Sequence, residues 1–311
     1  MAPFGAAWDM AGRLRRATAH PYEAPVPVLC VGNLVAGGAG KTPTVLALCN
    51  YLAARGIAAH VVTRGYGGRT AGPARVDPSR DDADMVGDEA LLLARIAPCW
   101  VARDRTAGVR TAAAAGAQAV LLDDGFQNPS VAKTRSLVVV DAAHAFGNGR
   151  VIPAGPLREN LERGLSRADA VVWLASEGEP AAMAPRVACP IVPAVLAPIG
   201  GHDLVGRRVV AFAGIGRPEK FFATLRRLGA DVAGERSFPD HHRFRDGEIA
   251  GLRALARHRD ALLVTTAKDF VRLPPAARTG IRVLEIEIRW SDPAALERCL
   301  GPVVAALDGR R

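Results

Sequence analysis

The segment LVAGGAGKTP, Leu34 to Pro43, sets three glycines ahead of a Lys-Thr step. Those residue types suit a phosphate. Glycines let backbone N–H groups approach the anion closely, and a helix opening behind them adds its positive end. The strict phosphate-loop pattern needs a glycine four residues before Gly-Lys-[Ser/Thr]. Here Val35 holds that place, and Ala36, Gly37, Gly38, Ala39, Gly40, Lys41 and Thr42 complete the loop. Lys41 is expected to reach the β- and γ-phosphates of a nucleotide, and the Thr42 hydroxyl to ligate Mg²⁺. Such a loop also needs an acid for its metal. AVLLDDGFQ supplies Asp123 and Asp124 at the end of an apolar run, and either carboxylate could hold the ion directly or through water.

Four further polar groupings stand out. MVGDEALLLARIA puts Asp88 and Glu89 in the first turn of a helix, where their charge suits the helix dipole and needs no other role. FPDHHRF gathers Asp240, His241 and His242; imidazole beside carboxylate is the make-up of a general base, a metal ligand, or simply an exposed polar loop. GNGRVIPAGPLRENLERG carries Arg158 and Glu159 in a long loop after a strand, a common place for substrate contacts, and TTAKDFVRL ends another strand with Lys268 and Asp269.

The elements that must position these groups are legible as alternating patterns. VPVLCVG is a buried strand, the glycine turn follows, and KTPTVLALCNYLAARG has helical spacing up to Gly56. HVVTRG, AVLLDDG, SLVVVDA and AVVWLA read as more strands, with helical patterns such as GDEALLLARIA and RTAGVRTAAAAGA between them. Continuously apolar strands separated by helices predict a parallel sheet covered on both faces. Residues 175–205 are rich in Pro, Gly and Ala and read as a connecting region. A second α/β set follows: strands RRVVAFAGI, VAGERSF, ALLVTTA and IRVLEIEI, and helices PEKFFATLRRLG, DGEIAGLRALARH and PAALERCLGPVVAALDG. The expected organisation is a short basic amphipathic segment (1–24), a P-loop NTPase-like α/β domain (25–200) and a smaller α/β domain (201–311) closing over the active site.

Composition narrows the function. With 311 residues, 49% hydrophobic and 23% charged, the chain is an ordinary globular protein, long enough for two domains. A net charge of +9 attracts anions. Nucleic acid is a poor candidate, because aromatics are only 5% and arginine is spread evenly rather than clustered. The five scattered cysteines have no metal-ligand spacing and no disulfide framework. No signal peptide and no apolar run of membrane-spanning length is present. In PFGAAWDMAGRLRRA, Phe4, Trp8, Ala11 and Leu14 fall near one helical face and Arg13, Arg15 and Arg16 follow. That segment fits either an anionic bilayer surface or packing on its own domain.

Taken in order, VPVLCVGNLVAGGAGKTP, TRGYGG, VGDEA, LLDDGFQ, AFGNGRVIPAGPLRE, FAGIGRPEKFF, FPDHHRF and TTAKDFVRL resemble the tetraacyldisaccharide 4′-kinase (lipid A 4′-kinase) family from about Pro25 to Leu273. That family's phosphate loop also lacks the first glycine. The resemblance implies transfer of the ATP γ-phosphate to the 4′-hydroxyl of a lipid-linked glucosamine disaccharide, in lipid A biosynthesis. It implies ATP and Mg²⁺ as cofactors, an anionic glycolipid substrate, and peripheral location at the cytoplasmic face of the inner membrane. No nucleic-acid or protein partner is implied. Lys41 and Thr42 match the family's phosphate-loop Lys and metal ligand, Asp123 and Asp124 its acidic pair near Mg²⁺, and Glu159 an acid near the site. Asp88 matches the catalytic Asp. A histidine of the DHH motif matches its partner, His241 by its place after Asp240, with His242 open. Asn128 stands where the family commonly has His, Ala90 and Asn160 where Pro is usual, and the N-terminal hydrophobic helix is shorter than in many relatives. A competing reading, a P-loop switch protein, lacks the Asn-Lys-x-Asp base-specificity motif.

Overall fold

The computed structural model describes residues 2–178, 184 and 186–308. Its twelve strands are β1 (Val28–Gly32), β2 (Ala59–Thr63), β3 (Ala74–Arg75), β4 (Cys99–Val101), β5 (Ala119–Asp123), β6 (Arg135–Asp141), β7 (Ala170–Ser176), β8 (Ile191–Ile199), β9 (Arg208–Ala213), β10 (Asp231–Ser237), β11 (Leu262–Thr266) and β12 (Ile281–Trp290). Ten α-helices accompany them: α1 (Ala2–Ala17), α2 (Lys41–Ala53), α3 (Ala83–Val86), α4 (Asp88–Ala94), α5 (Arg105–Ala114), α6 (Leu161–Leu165), α7 (Pro218–Arg227), α8 (Asp246–His258), α9 (Ala267–Arg272) and α10 (Pro293–Asp308).

The strands join edge to edge in the order β10-β9-β11-β12-β8-β7-β6-β1-β5-β2-β4-β3. Pairing is parallel except at β3–β4 and β8–β12. The apolar runs explain the middle of the amino-terminal set. All five residues of β1, β2 and β5 are buried, so each strand is covered on both faces, as parallel sheets require. One core, with Leu29, Val31, Leu48 and Leu121, lies on one face; another, with Cys30, Val62, Leu122 and Val138, lies on the other. The carboxy-terminal strands carry two smaller cores, around Phe222 and Leu225 and around Phe212 and Leu252. We call the two strand sets the amino-terminal and carboxy-terminal lobes.

Strand order places the chemistry. β1 lies between β5 and β6, yet the chain leaves β1 through α2 to β2, on the far side of β5. Such a switch point opens a crevice at the carboxyl ends of the strands, where ligands of α/β sheets bind. The phosphate-loop segment follows β1 and the Asp123-Asp124 pair ends β5, so both meet at that crevice.

The lobes are joined through β12. Its first half, Ile281 to Leu284, pairs with β11, and its second half, Glu285 to Trp290, pairs antiparallel with β8. β8 falls inside the region that reads in the sequence as a connector. Pro193 and Pro198 each remove a ladder donor and mask the strand pattern, but β7 on one side and β12 on the other supply enough partners to hold it. A second difference concerns α10, expected within the 201–311 domain. Its Leu296 and Leu300 are buried in the amino-terminal core beside Leu48 and Val192, because β12 returns the chain to that side.

Candidate active site

Val35 needs no glycine-like backbone. The left-handed non-glycine residues are Asp124, Ala145, His241 and Asp260, and Val35 is not among them. Instead Val35 forms an antiparallel bridge with Leu157. The Ala36 N–H donates to the Pro156 carbonyl (2.8 Å), the Arg158 N–H to the Leu34 carbonyl (2.7 Å), and the buried Asn33 amide to the Val35 carbonyl. The Pro156–Arg158 segment thus fixes the entry to the loop. Gly40 then turns the chain at φ 87° and α2 begins at Lys41. A Cβ at Gly40 would lie 2.3 Å from Leu174 Cδ2, so glycine is required both by conformation and by packing. A Cβ on Gly37 or Gly38 would meet nothing within 4 Å, which leaves the face of the loop open to an anion.

Lys41 reaches back across this opening to within 3.7 Å of Asp124 Oδ1, which also accepts a 2.9 Å bond from Arg158 Nη1. Asp123 is fully buried. Its Oδ2 accepts from the Thr63 hydroxyl (3.1 Å), while Oδ1 has no protein partner. Burial, then the charges of Glu89 and Asp124, push its pKa up to about 7, against the pull of Lys41. An orphaned carboxylate oxygen, a second acid beside it and a lysine beyond fit a nucleotide–cation pair: Thr42, Asp123 and Asp124 would hold Mg²⁺, and the glycine loop with Lys41 the phosphates. Among the described residues no group of three or more His, Cys, Asp or Glu is arranged as a metal site. The buried Glu159, expected beside the cation, pairs with Arg167 (2.8 Å) and Arg16 (3.6 Å) and accepts from the Gln127 amide (3.2 Å). Its Oε2, like Asp123 Oδ1, is buried without a hydrogen bond.

Asp88 and His241 come from different lobes and meet. His241 Nδ1 lies 3.0 Å from Asp88 Oδ2, and Asp88 Oδ1 accepts the Glu89 N–H at 2.8 Å. His242 points elsewhere: its Nε2 pairs with Glu248 (2.9 Å) and its ring stacks on Phe238. The left-handed backbone of His241, φ 58°, turns the imidazole toward Asp88, and the Tyr66 ring lies against it. Asp88 is only 3% exposed. Burial alone would raise its pKa, but the bond from His241 and the charges of Lys268 and Arg272 outweigh that and lower it. With Asp88 ionised and able only to accept, Nδ1 is the nitrogen that donates to it.

The sequence marks Lys268 at a strand end and Glu89 in a helix turn, without giving either a part in the site. Lys268 Nζ sits 3.3 Å from Glu89, 3.5 Å from His241 Nε2 and 3.8 Å from Asp240. Burial pulls the Lys268 pKa down, but Glu89, Asp88 and Asp240 more than offset it. Glu89, which the helix dipole alone would explain, therefore links the acid pair to this group. Asp141, at the end of β6, binds Arg217 (2.6 Å) and Lys220 (2.7 Å) of the FAGIGRPEK segment, a second tie between the lobes. A charged residue ending an apolar strand was the available signal for Asp141; nothing local marks its partners.

At the amino terminus α1 packs by Gly5 against the Val151–Ile152 backbone and by Arg16 against Glu159. Met10 and Leu14 remain exposed, with Arg13 and Arg15 beside them. The side chains of Phe4, Trp8 and Ala11, expected on the same face, lie outside those described. No helix among the described residues is long and apolar enough to cross a membrane.

The family model for tetraacyldisaccharide-1-P 4′-kinase (LpxK) matches residues 1–305. The chain belongs to that family. Its relatives include the tetraacyldisaccharide 4′-kinases of Rhodospirillum centenum, 54% identical over 99% of this chain and 92% of the relative, and of Paramagnetospirillum magneticum, 51% identical over 95% and 92%. The crystal structure of LpxK from Aquifex aeolicus in complex with ATP has the same fold, with a TM-score of 0.78 over 97% of each chain at 24% identity. The chain is therefore a kinase whose family acts in lipid A synthesis with ATP.

Proposed function

We propose that this 4′-kinase family member transfers the γ-phosphate of ATP to the 4′-hydroxyl of a tetraacyl glucosamine disaccharide 1-phosphate, with Asp88 and His241 acting as one unit on that hydroxyl. The observation that carries the assignment is the 3.0 Å contact between His241 and Asp88 across the two lobes. The loop after β9 lies over the phosphate loop: a Cβ on Gly216 would sit 3.9 Å from the Gly38 nitrogen. The same Cβ would sit 3.3 Å from Asp240 Oδ2, beside His241, which supports one cleft for the unit and Lys41. Phosphoryl transfer relies on positioning and charge stabilisation. The backbone of Gly37 to Gly40 cradles the phosphates, and Lys41 offsets charge on the transferring group. Mg²⁺, when bound, supplies further neutralisation of that charge. Asp88 orients the imidazole and stabilises it when it gains a proton. The acceptor's proton passes to the unit as the oxygen takes the phosphoryl group.

The acceptor is an anionic, amphiphilic lipid, and the same proposal places the chain peripherally at the cytoplasmic face of the inner membrane. The exposed Met10 and Leu14 of α1, flanked by exposed Arg13 and Arg15, support that surface. We further read residues 25–200 together with α10, and the carboxy-terminal strands and helices that begin after residue 200, as the two bodies that close over the nucleotide, joined by the β8–β12 ribbon. Transfer of labelled γ-phosphate to the disaccharide lipid in detergent tests the activity. A folded protein that hydrolyses ATP yet leaves the lipid unphosphorylated would overturn it.

A further inference from the structure

Arg272, the last residue of α9, has a side chain that is 4% exposed and makes an unusual set of contacts. Its Nε donates to the Lys268 carbonyl (3.1 Å) and lies 3.3 Å from Asp88 Oδ2 as an ion pair. Nη1 donates to the carbonyl of His242 (3.2 Å), and Nη2 to the carbonyl of Gly214 (2.9 Å) and to Asp269 Oδ1 (3.0 Å). One guanidinium thus touches the loop after β9, the loop bearing His241, and the first turn of α4 in the other lobe. Asp269 is itself fully buried and fixed, accepting the Gly214 N–H (2.8 Å) and the Thr266 hydroxyl (2.6 Å).

We infer that Arg272 is a positioning residue for phosphoryl transfer: it acts through Asp88, holding that carboxylate ionised and aimed at His241, and makes this arrangement depend on the contact between α4 and α9. The inference rests on the proposed role of the Asp88–His241 unit. A structural staple would need only Asp269, which already balances one guanidinium. Arg272 reaches past it to a second carboxylate. Counting Asp88 itself, the carboxylates gathered at the unit are Asp88, Glu89, Asp240 and Asp269, four acids against the cations Lys268 and Arg272, with the Tyr66 phenol ring beside the imidazole. Burial raises the cost of an uncompensated charge. Removing Arg272 leaves one permanent cation for four acids, so the unit takes up a proton more readily and is lost at higher pH. The lowered pKa of Asp88, to which Arg272 contributes, agrees with this direction.

The test is the pH profile of kcat with saturating ATP and lipid acceptor in detergent. Arg272→Gln is expected to move the acid limb up by about 1–2 pH units, the usual effect of losing an opposite charge at this range. At a pH below both limbs, activity is then about 10–100-fold lower than that of the wild type at the same pH, with KM for ATP little changed. Arg272→Lys keeps the charge and is expected to keep the limb, at a lower kcat because the fork is gone. A folded Arg272→Gln enzyme with the wild-type limb and a uniform loss overturns the inference. Should thermal unfolding show that Arg272→Gln does not fold, Asp269→Asn decides: it leaves the guanidinium to Asp88 and is expected to move the limb down. An unmoved or raised limb there overturns it equally. Asp88→Ala and His241→Ala are run in parallel. If both retain full kcat, the role of the unit has failed; if both lose it while no limb moves, only the role of Arg272 has.

Discussion

Asp88 and His241 are close enough to be tested as a single device. General-base assistance is typically worth about 10²–10⁴-fold. Each of Asp88→Ala and His241→Ala is expected to lower kcat within that range, with ATP affinity much less affected. The double variant should be little worse than the worse single, because parts of one unit are not additive. Additive losses in kcat would separate the two residues. His242→Ala is the control, since its imidazole pairs with Glu248 rather than Asp88. Lys41→Ala is expected to abolish transfer without unfolding the protein: its ammonium serves a charge pair with Asp124 (3.7 Å) rather than an apolar contact. Near-normal turnover in a folded Lys41→Ala enzyme would remove the loop from the chemistry. Much at this scale was legible in the order of the motifs, down to the preference for His241 over its neighbour. Arg272 was not, because a buried arginine looks in sequence like any basic residue near a helix end, and only the packing of α4 on α9 aims it at Asp88.

Between elements, the tie formed by Asp141 with Arg217 and Lys220 carries its own test. Burial opposes ionisation of Asp141, but the Lys220 bond and the two cations outweigh it, so its folded pKa lies below the ordinary carboxylate range. A depressed carboxylate stabilises the fold above its unfolded pKa, and that contribution is lost as pH falls through the folded value. Asp141→Asn is therefore expected to lower Tm at neutral pH, by roughly 2–4 °C for each kcal/mol lost in a body of this size. Wild type and variant should converge only once the pH falls below that depressed folded value, where the carboxylate is protonated in both states. A gap in Tm that persists in acid would show that Asp141 acts by packing rather than charge. The parallel strands of the amino-terminal lobe could be read from their apolar runs. β8 could not, because Pro193 and Pro198 interrupt the pattern while β7 and β12, distant in sequence, provide its pairing. Val35 shows the same limit: its neighbour Leu157 is invisible locally, yet that bridge is what makes a first glycine unnecessary.

For the whole molecule, a net charge of +9 and a helix exposing Met10, Leu14, Arg13 and Arg15 make salt-sensitive attachment to anionic bilayers the expected behaviour. Removing residues 1–16 should reduce co-sedimentation with anionic vesicles, most clearly at low salt; unchanged binding would place the attachment elsewhere. The ribbon joining the lobes bears on how the chain is made. Translation delivers the amino-terminal strands first, and domains tend to fold as they emerge. Until residues 281–290 leave the ribosome, β8 has β7 on one side and nothing on the other, an open edge of the kind that recruits foreign strands. Pro193, whose carbonyl accepts from Ser291 and so faces the β12 side, removes an amide donor from that edge during this interval and blunts it. A nascent chain stalled before β12 should accordingly stay soluble with Pro193 in place, and aggregate when it is replaced by valine.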